Sequence, residues 1–235
     1  MKATEKGNFK PVKLPEEGTK VARCYSVIHI GTVPNIFNGK LNADKPTKEI
    51  IYITWELPHF KAVFTEEKGP EPFVVGEEFN LSTNEGSNLS KLIAQWRGKK
   101  FTTEEQKGFD PSIMVGKTCL INVIHQRKKK YVGEKIDEVN NQNTMLINNG
   151  IMSRPKEMEC PENINPYYIW DWDKHGKPFN KEVFAKMPKW LQDRCKESEE
   201  YKKYGPDPEL GSSEPEVKST APAGKVGGDD SDGWG

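Results

Sequence analysis

Long apolar runs are missing from this sequence. No segment approaches the ~18 consecutive apolar residues of a membrane span, and MKATEKGNFKPVKLPEEG at the N-terminus lacks the apolar core of a secretory leader. The expectation is a soluble, cytoplasmic protein with no membrane partner. Cysteine is scarce: Cys24, Cys119, Cys160 and Cys195 are scattered, with no CxxC pair and no histidine at metal-ligand spacing. That argues against a disulfide framework or a zinc site. The only histidines are His29, His59, His125 and His175, none of them near a nucleophile or carboxylate cluster at a recognisable spacing. There is no P-loop and no GxGxxG, and the acidic clusters lie in a C-terminal tail or are paired with lysines, as in EEQK, so a two-metal nuclease has no obvious ligands. The chain is therefore read as a non-enzyme with no cofactor and no metal.

Net charge is also missing, and zero overall argues against a polyanionic partner until its distribution is followed. From Gly205 to Gly235 there are seven acidic and two basic residues, so this tail carries −5 and the rest of the chain +5. Hydrophobic residues at 34% against 30% charged, with a mean hydropathy of −0.80, are too polar for a chain packed throughout. Four regions follow: a loose lead-in at 1–18, a domain at 19–140, an aromatic and helical extension at 141–204, and a disordered acidic tail at 205–235.

Within the domain, KVARCYSVIHI (Lys20 to Ile30) and EIIYITWEL (Glu49 to Leu57) read as strands separated by a long loop, Thr32 to Lys48, rich in turn residues. In the second strand, Ile51, Ile53, Trp55 and Leu57 share one face while Tyr52, Thr54 and Glu56 share the other. A weaker β run lies near Ala62 to Thr65, and Glu77 to Ser82 suits a third, edge-like strand. Leu89, Leu92, Ile93 and Trp96 fall at helical spacing, with Ser87 or Asn88 as cap and Gly98 as stop. A short helical turn capped by Thr102 or Thr103 follows. TCLINVIHQ (Thr118 to Gln126) is the strongest strand signal, and YVGEKIDEV (Tyr131 to Val139) is expected to pair back with it across the basic turn RKKK. The order β-β-β-α-β-β is that of a five-stranded, OB-fold-like Greek-key barrel, a fold that often binds oligonucleotides across strands 2 and 3. The extension reads as asparagine-rich, then aromatic (NPYYIWDWD, Asn165 to Asp173), then helical from about Asn180 to Tyr204. It is expected to pack on the barrel or to close a homodimer.

Three sets of residues are candidates for function. Arg97 to Lys135 holds ten basic and four acidic residues, with Arg127, Lys128, Lys129 and Lys130 in a tight turn. Arg23, Arg97, Lys99, Lys100 and His125 join them as candidate phosphate contacts; the bland alternative for the turn is a solvated hairpin tip. Tyr25, Tyr52, Trp55 and Tyr131 are aromatics on predicted strands, and bases splayed from a single strand stack on such rings for ~1–3 kcal/mol each. For Trp55, sharing a face with Ile51 and Ile53, a core role is the stronger reading. The tail is the third set: 18 of its 31 residues are Gly, Pro, Ser, Thr or Ala, and it ends GGDDSDGWG. Asp229, Asp230 and Asp232 before Trp234 place charge and one ring on a tether, fit for a pocket with a basic rim or for the protein's own basic groove. A merely solubilising tail is the alternative.

This tail resembles the acidic, aromatic-tipped C-termini of bacterial and phage single-stranded DNA-binding proteins, which recruit replication and repair enzymes; those commonly end on or next to Phe, whereas here Trp234 precedes Gly235. ARC (Ala22 to Cys24), WRGKKFTTEEQKGFD (Trp96 to Asp110) and GKTCLINVIH (Gly116 to His125) resemble a family of phage and prophage proteins over roughly residues 20 to 140, with an echo in MPKWLQ (Met187 to Gln192). The resemblance implies an OB-like fold and a role in phage DNA replication or recombination, in the host cytoplasm. The expected partners are single-stranded DNA and, through the tail, replication or recombination proteins. Two rivals stand beside this reading: a protein-interaction or virion-associated structural module, and an RNA binder.

Overall fold

The computed structural model describes residues 14–64, 68–128, 131–132, 135–136, 142–162 and 164–206, with 126–150 described by backbone alone. Strand β1 (Gly18–Pro34) leads into the hairpin of β2 (Ile36–Phe37) and β3 (Lys40–Leu41), then β4 (Thr47–Val63) and β5 (Pro70–Asn80). Helices α1 (Asn88–Arg97) and α2 (Thr103–Gly108) and a 3-10 turn at Pro111–Met114 precede β6 (Thr118–Lys128). The short pair β7 (Tyr131–Val132) and β8 (Lys135–Ile136) is followed by β9 (Gln142–Met152) and β10 (Tyr168–Trp170). Four short helices close the described chain: α3 (Trp172–His175), α4 (Lys181–Ala185), α5 (Lys189–Cys195) and α6 (Glu199–Tyr204).

The protein is mainly β. One sheet runs β5-β4-β1-β6-β9, every neighbouring pair antiparallel, and β10 adds a parallel pairing to β1 at Ser26 to Ile28. The sheet does not close into the expected barrel. Its two ends, β5 and β9, come near each other without a ladder, and α1 packs against both. Ser153, just past β9, donates its hydroxyl to the Trp96 carbonyl of α1 at 2.5 Å. Helix packing therefore stands where strand pairing would close the seam.

Two apolar clusters lie on opposite faces of this sheet. The first gathers Ala22, Cys24 and Val27 of β1 and Ile51, Ile53, Trp55 and Leu57 of β4 under Leu89, Leu92, Ile93 and Trp96 of α1. The second joins Ile28, Ile30 and Val33 of β1 and Ile50 of β4 to Trp170, Trp172, Phe184, Met187 and Leu191 of the extension. A strand covered on both sides has no reason to alternate polar with apolar, and the first predicted strand, KVARCYSVIHI, does not alternate. Two register shifts, at Cys24/Ser26 and His29/Gly31, redirect its side chains between the clusters.

The second shift lets the extension sit directly on the strand. Gly31 has φ +106, and a Cβ there would lie 2.9 Å from both Ser198 Cβ and Trp172 Nε1. The Trp172 indole N–H donates to the Ile30 carbonyl at 3.0 Å, while Glu200 accepts from the Thr32 backbone N–H at 2.7 Å and from its hydroxyl at 2.8 Å.

Helix α1 starts and stops as expected, with Ser87 accepting from Ser90 N and Gly98 in the left-handed region, and α2 carries a reciprocal Thr102/Glu105 capping box. Two expectations are corrected and a third is refined. The strand paired with β6 is not Tyr131 to Val139 but β9, in the asparagine-rich segment; Tyr131–Val132 and Lys135–Ile136 instead pair with each other. The stretch expected to be helical from about Asn180 to Tyr204 is helical, divided into three short helices. Pro188 lacks the N–H a continuing helix needs, and buried Ser198 caps a new one at Tyr201 N. Finally, the loop from Thr32 to Lys48 contains a hairpin whose Asn38 (φ 49) and Gly39 (φ 74) suit a two-residue turn.

Candidate nucleic-acid interface

β4 places Tyr52 and Thr54 on the face opposite the first apolar cluster, and the register shift at Cys24/Ser26 turns Tyr25 toward the same side. Residues 165–191 of the extension rise beside this face. Between them lies an open groove of ≈ 830 Å³, lined among others by Tyr25, Tyr52, Val74, Tyr167 and Trp190. Trp190 is 54% and Tyr167 50% exposed, so these rings are offered to solvent instead of packed.

Tyr52 is the best-positioned ring. Gly76 of β5 lies beneath it so closely that a Cβ there would come within 2.6 Å of the Tyr52 Cε1 and Cζ atoms. On another side it meets Trp190 edge-on, with centroids 5.1 Å apart and planes at 84°. Burial, reinforced by Glu78 and Glu77, pushes the Tyr52 hydroxyl up to about 12; burial, reinforced by Tyr52, Glu56 and Cys24, does the same for Tyr25. Both phenols are neutral hydrogen-bond donors at physiological pH. Tyr168 is raised by burial too, and its hydroxyl donates to the Val183 carbonyl at 2.9 Å. The charge around the groove is mixed, with Lys68 3.8 Å from Glu71 and Lys186 exposed on the wall.

The other candidates are distributed elsewhere. Arg23 is buried, with Nη1 3.3 Å from Glu56 Oε1 and Nη2 donating to the Pro161 carbonyl and toward Cys160 Sγ. The second Glu56 oxygen accepts from both the backbone and side-chain nitrogens of Asn165 at 3.0 Å. This network pins the segment that carries Tyr167 and Tyr168, so Arg23 positions the groove wall without facing the groove. Trp55 is fully buried in the first cluster, tilted against Trp96 at 6.2 Å. Arg97 is engaged with Glu105 at 2.5 Å and lies over the Phe101 ring at 5.1 Å, while Lys100 pairs with Glu85 at 2.5 Å. Lys99 is exposed beside them. His125 joins the strand to the lead-in: its N–H donates to Glu17 and its ring Nε2 lies 2.7 Å from the Pro15 carbonyl.

Arg127 and Lys128 end β6 and Tyr131 opens β7, but their side chains lie outside the described residues. So do Lys129, Lys130, and Asp229, Asp230, Asp232 and Trp234 of the tail. Among the described residues no three His, Cys, Asp or Glu gather as metal ligands, the four cysteines are free, and no helix is long and apolar enough to cross a membrane.

Sequence reasoning thus brought Tyr25 and Tyr52 to one surface and missed Tyr167, Tyr168 and Trp190. Their signal was present. NPYYIWDWD is dense in rings, and Trp190 neighbours buried Leu191 at the start of a short helix after Pro188. Nothing in periodicity tells on which side of a sheet such an appendage lands. No family model matches the chain, and no curated protein matches it.

Proposed function

We propose that this protein binds single-stranded DNA without sequence preference, laying the strand along the groove between the outer face of β1, β4 and β5 and the extension. The observation that carries the reading is the group of partly exposed rings, Tyr25, Tyr52, Tyr167 and Trp190, on one open groove. Flat rings beside cations are what a splayed strand requires, since every base has a stacking face whatever its sequence. The sheet order supports the same reading. Taking β1, β4, β5, β6 and β9 as five successive strands with α1 between the third and fourth, we read the order as an OB plan with an open seam, in which the groove falls on the strands 2 and 3 face. The acidic tail then recruits replication or recombination proteins, as its resemblance to phage and bacterial tails implies.

The test is a fluorescence titration of the whole chain with a dT oligomer at low and high salt, with duplex of the same length as control. Trp190 reports the groove. Salt-sensitive quenching by the single strand alone is the expected result, because each neutralised phosphate releases counterion. Absence of binding to either form at low salt overturns the reading. The mixed charge of the groove, with Glu71 among its lining residues, favours one rival, a protein-interaction module that seats an apolar peptide. Competition between dT and rU oligomers separates DNA from RNA.

A further inference from the structure

A second cavity, of ≈ 450 Å³, is lined by Pro34, Ile36, Lys48, Arg194, Glu197 and Lys202. Its two walls come from distant parts of the chain and are tied together. One is the end of β1 and the start of β4, where Val33 pairs with Lys48 and Pro34 with Thr47. The other is α5 and α6. Glu200 of α6 accepts from both the backbone N–H and the hydroxyl of Thr32, while Arg194 of α5 meets the two oxygens of Glu78 on β5 at 2.9 and 3.3 Å. A cavity between elements held in this way is formed before any ligand arrives.

The charge of this cavity is one-sided. Three cations and one carboxylate line it, a net of +2 in a chain whose formal charge is zero. Arg194 is engaged with Glu78 and Glu197, but among the described residues Lys48 and Lys202 have no ion-pair partner. Elsewhere on the extension Lys174, Lys177 and Lys196 each pair with an aspartate. An anion entering the cavity is attracted by both unpaired ammonium groups at once. Beside them Ile36, 58% exposed, and Pro34 offer aliphatic surface that an apolar side chain would cover.

The lining also separates this cavity from the groove. No aromatic ring contributes to it, so a base would find nothing to stack on. Glu197 opposes a polyphosphate, yet its carboxylate can accept a peptide N–H. We propose that the cavity seats an acidic segment of a partner protein, with an apolar side chain on Pro34 and Ile36 and flanking carboxylates on Lys48 and Lys202. Trp190 and Arg194 lie about one turn apart on α5, so the partner sits beside the groove without occupying it.

The experiment follows the fluorescence anisotropy of a dye-labelled DDLDD peptide titrated with the full chain at about 0.15 M salt. Wild type and Lys202→Arg are expected to bind it, and Lys48→Glu and Lys202→Glu to weaken it about tenfold or more, because a like charge then faces the peptide. A DDGDD peptide, which lacks the apolar side chain, should bind wild type about tenfold more weakly. That comparison needs no variant, so it stands whatever a substitution does to folding. Equal affinity for DDLDD and DDGDD overturns the proposal, and so does equal affinity of wild type and Lys202→Glu for DDLDD, or no binding at all. Displacement of DDLDD by a dT oligomer would make the cavity part of an oligonucleotide site and overturn it too. Binding that appears only when Asp229→Asn, Asp230→Asn and Asp232→Asn are introduced together assigns the cavity to the chain's own tail in place of a partner. None of these outcomes touches the single-strand reading, which the dT titration tests by itself.

Discussion

Gly76→Ala perturbs the groove without replacing any of its rings. A Cβ at this position would stand 2.6 Å from two ring atoms of Tyr52, with the hydroxyl closer still. Carbon contacts settle at ~3.5–4.0 Å, so the ring has to move by about 1 Å. Trp190 lies edge-on against Tyr52, 5.1 Å between centroids, which leaves little room on that side. The displaced phenol is expected to leave its rotamer, at ~0.5–1.5 kcal/mol, or to push Trp190 outward. Within β5 the alanine itself is tolerated, and reduced freedom of the unfolded chain returns ~0.4–1 kcal/mol. Stability should therefore change by no more than about 1 kcal/mol in denaturant unfolding. Affinity for a dT oligomer should fall by an amount comparable to one lost stack, ~1–3 kcal/mol, or roughly fivefold to a hundredfold. A change in Trp190 emission of the free protein should accompany it. Unchanged affinity together with shifted emission would falsify the assignment of Tyr52 as a stacking platform. A large loss of stability would show instead that the ring is chiefly a packing element.

Three further outcomes follow from the same geometry. Arg23→Ala leaves Glu56 buried without its cation, and the expected loss is ~3–5 kcal/mol in chemical unfolding; the salt slope of oligonucleotide binding should stay unchanged at temperatures where the variant is folded, and a shallower slope would return Arg23 to the phosphate contacts. Gly31→Ala must adopt φ near +106 and push against Trp172 and Ser198, so thermal unfolding should drop by several degrees or more, and an unaltered midpoint would mean the extension is not seated on β1 as described. Tyr25 and Tyr52 titrate near 12 in the folded chain against about 10 when unfolded, so the native state keeps protons that the unfolded chain has lost. Stability is then intact below pH ~10 and falls as pH rises toward 12. Phenolate absorbance should show these two groups ionising late, and their full ionisation at pH 10 in folded protein would contradict the burial.

What the sequence made legible was local. The helix 88–97 with its Ser87 cap, the Thr102 box, and the alternation of Ile51, Ile53, Trp55 and Leu57 all follow from neighbours a few residues apart. Partner choice at long range did not. β6 pairs not with Tyr131 to Val139, the nearest segment of strand-like composition, but with an asparagine-rich one whose composition gave no strand signal. Basic residues were also read as one class, yet Arg23 and Arg97 are engaged with Glu56 and Glu105, carboxylates 33 and 8 residues away. Charge density in a sequence cannot distinguish a cation offered to a ligand from one spent inside the fold.

Because the central strand β1 is covered on one side by the α1 cluster and on the other by Trp170, Trp172 and Leu191, neither half of the molecule is a spare part. A fragment ending near residue 158 would turn Ile28, Ile30, Val33 and Ile50 out to water as one apolar stripe. Such a stripe recruits other copies of the fragment before it recruits any ligand. Deletion mapping of activity on this chain would thus record aggregation where it set out to record the location of a binding site.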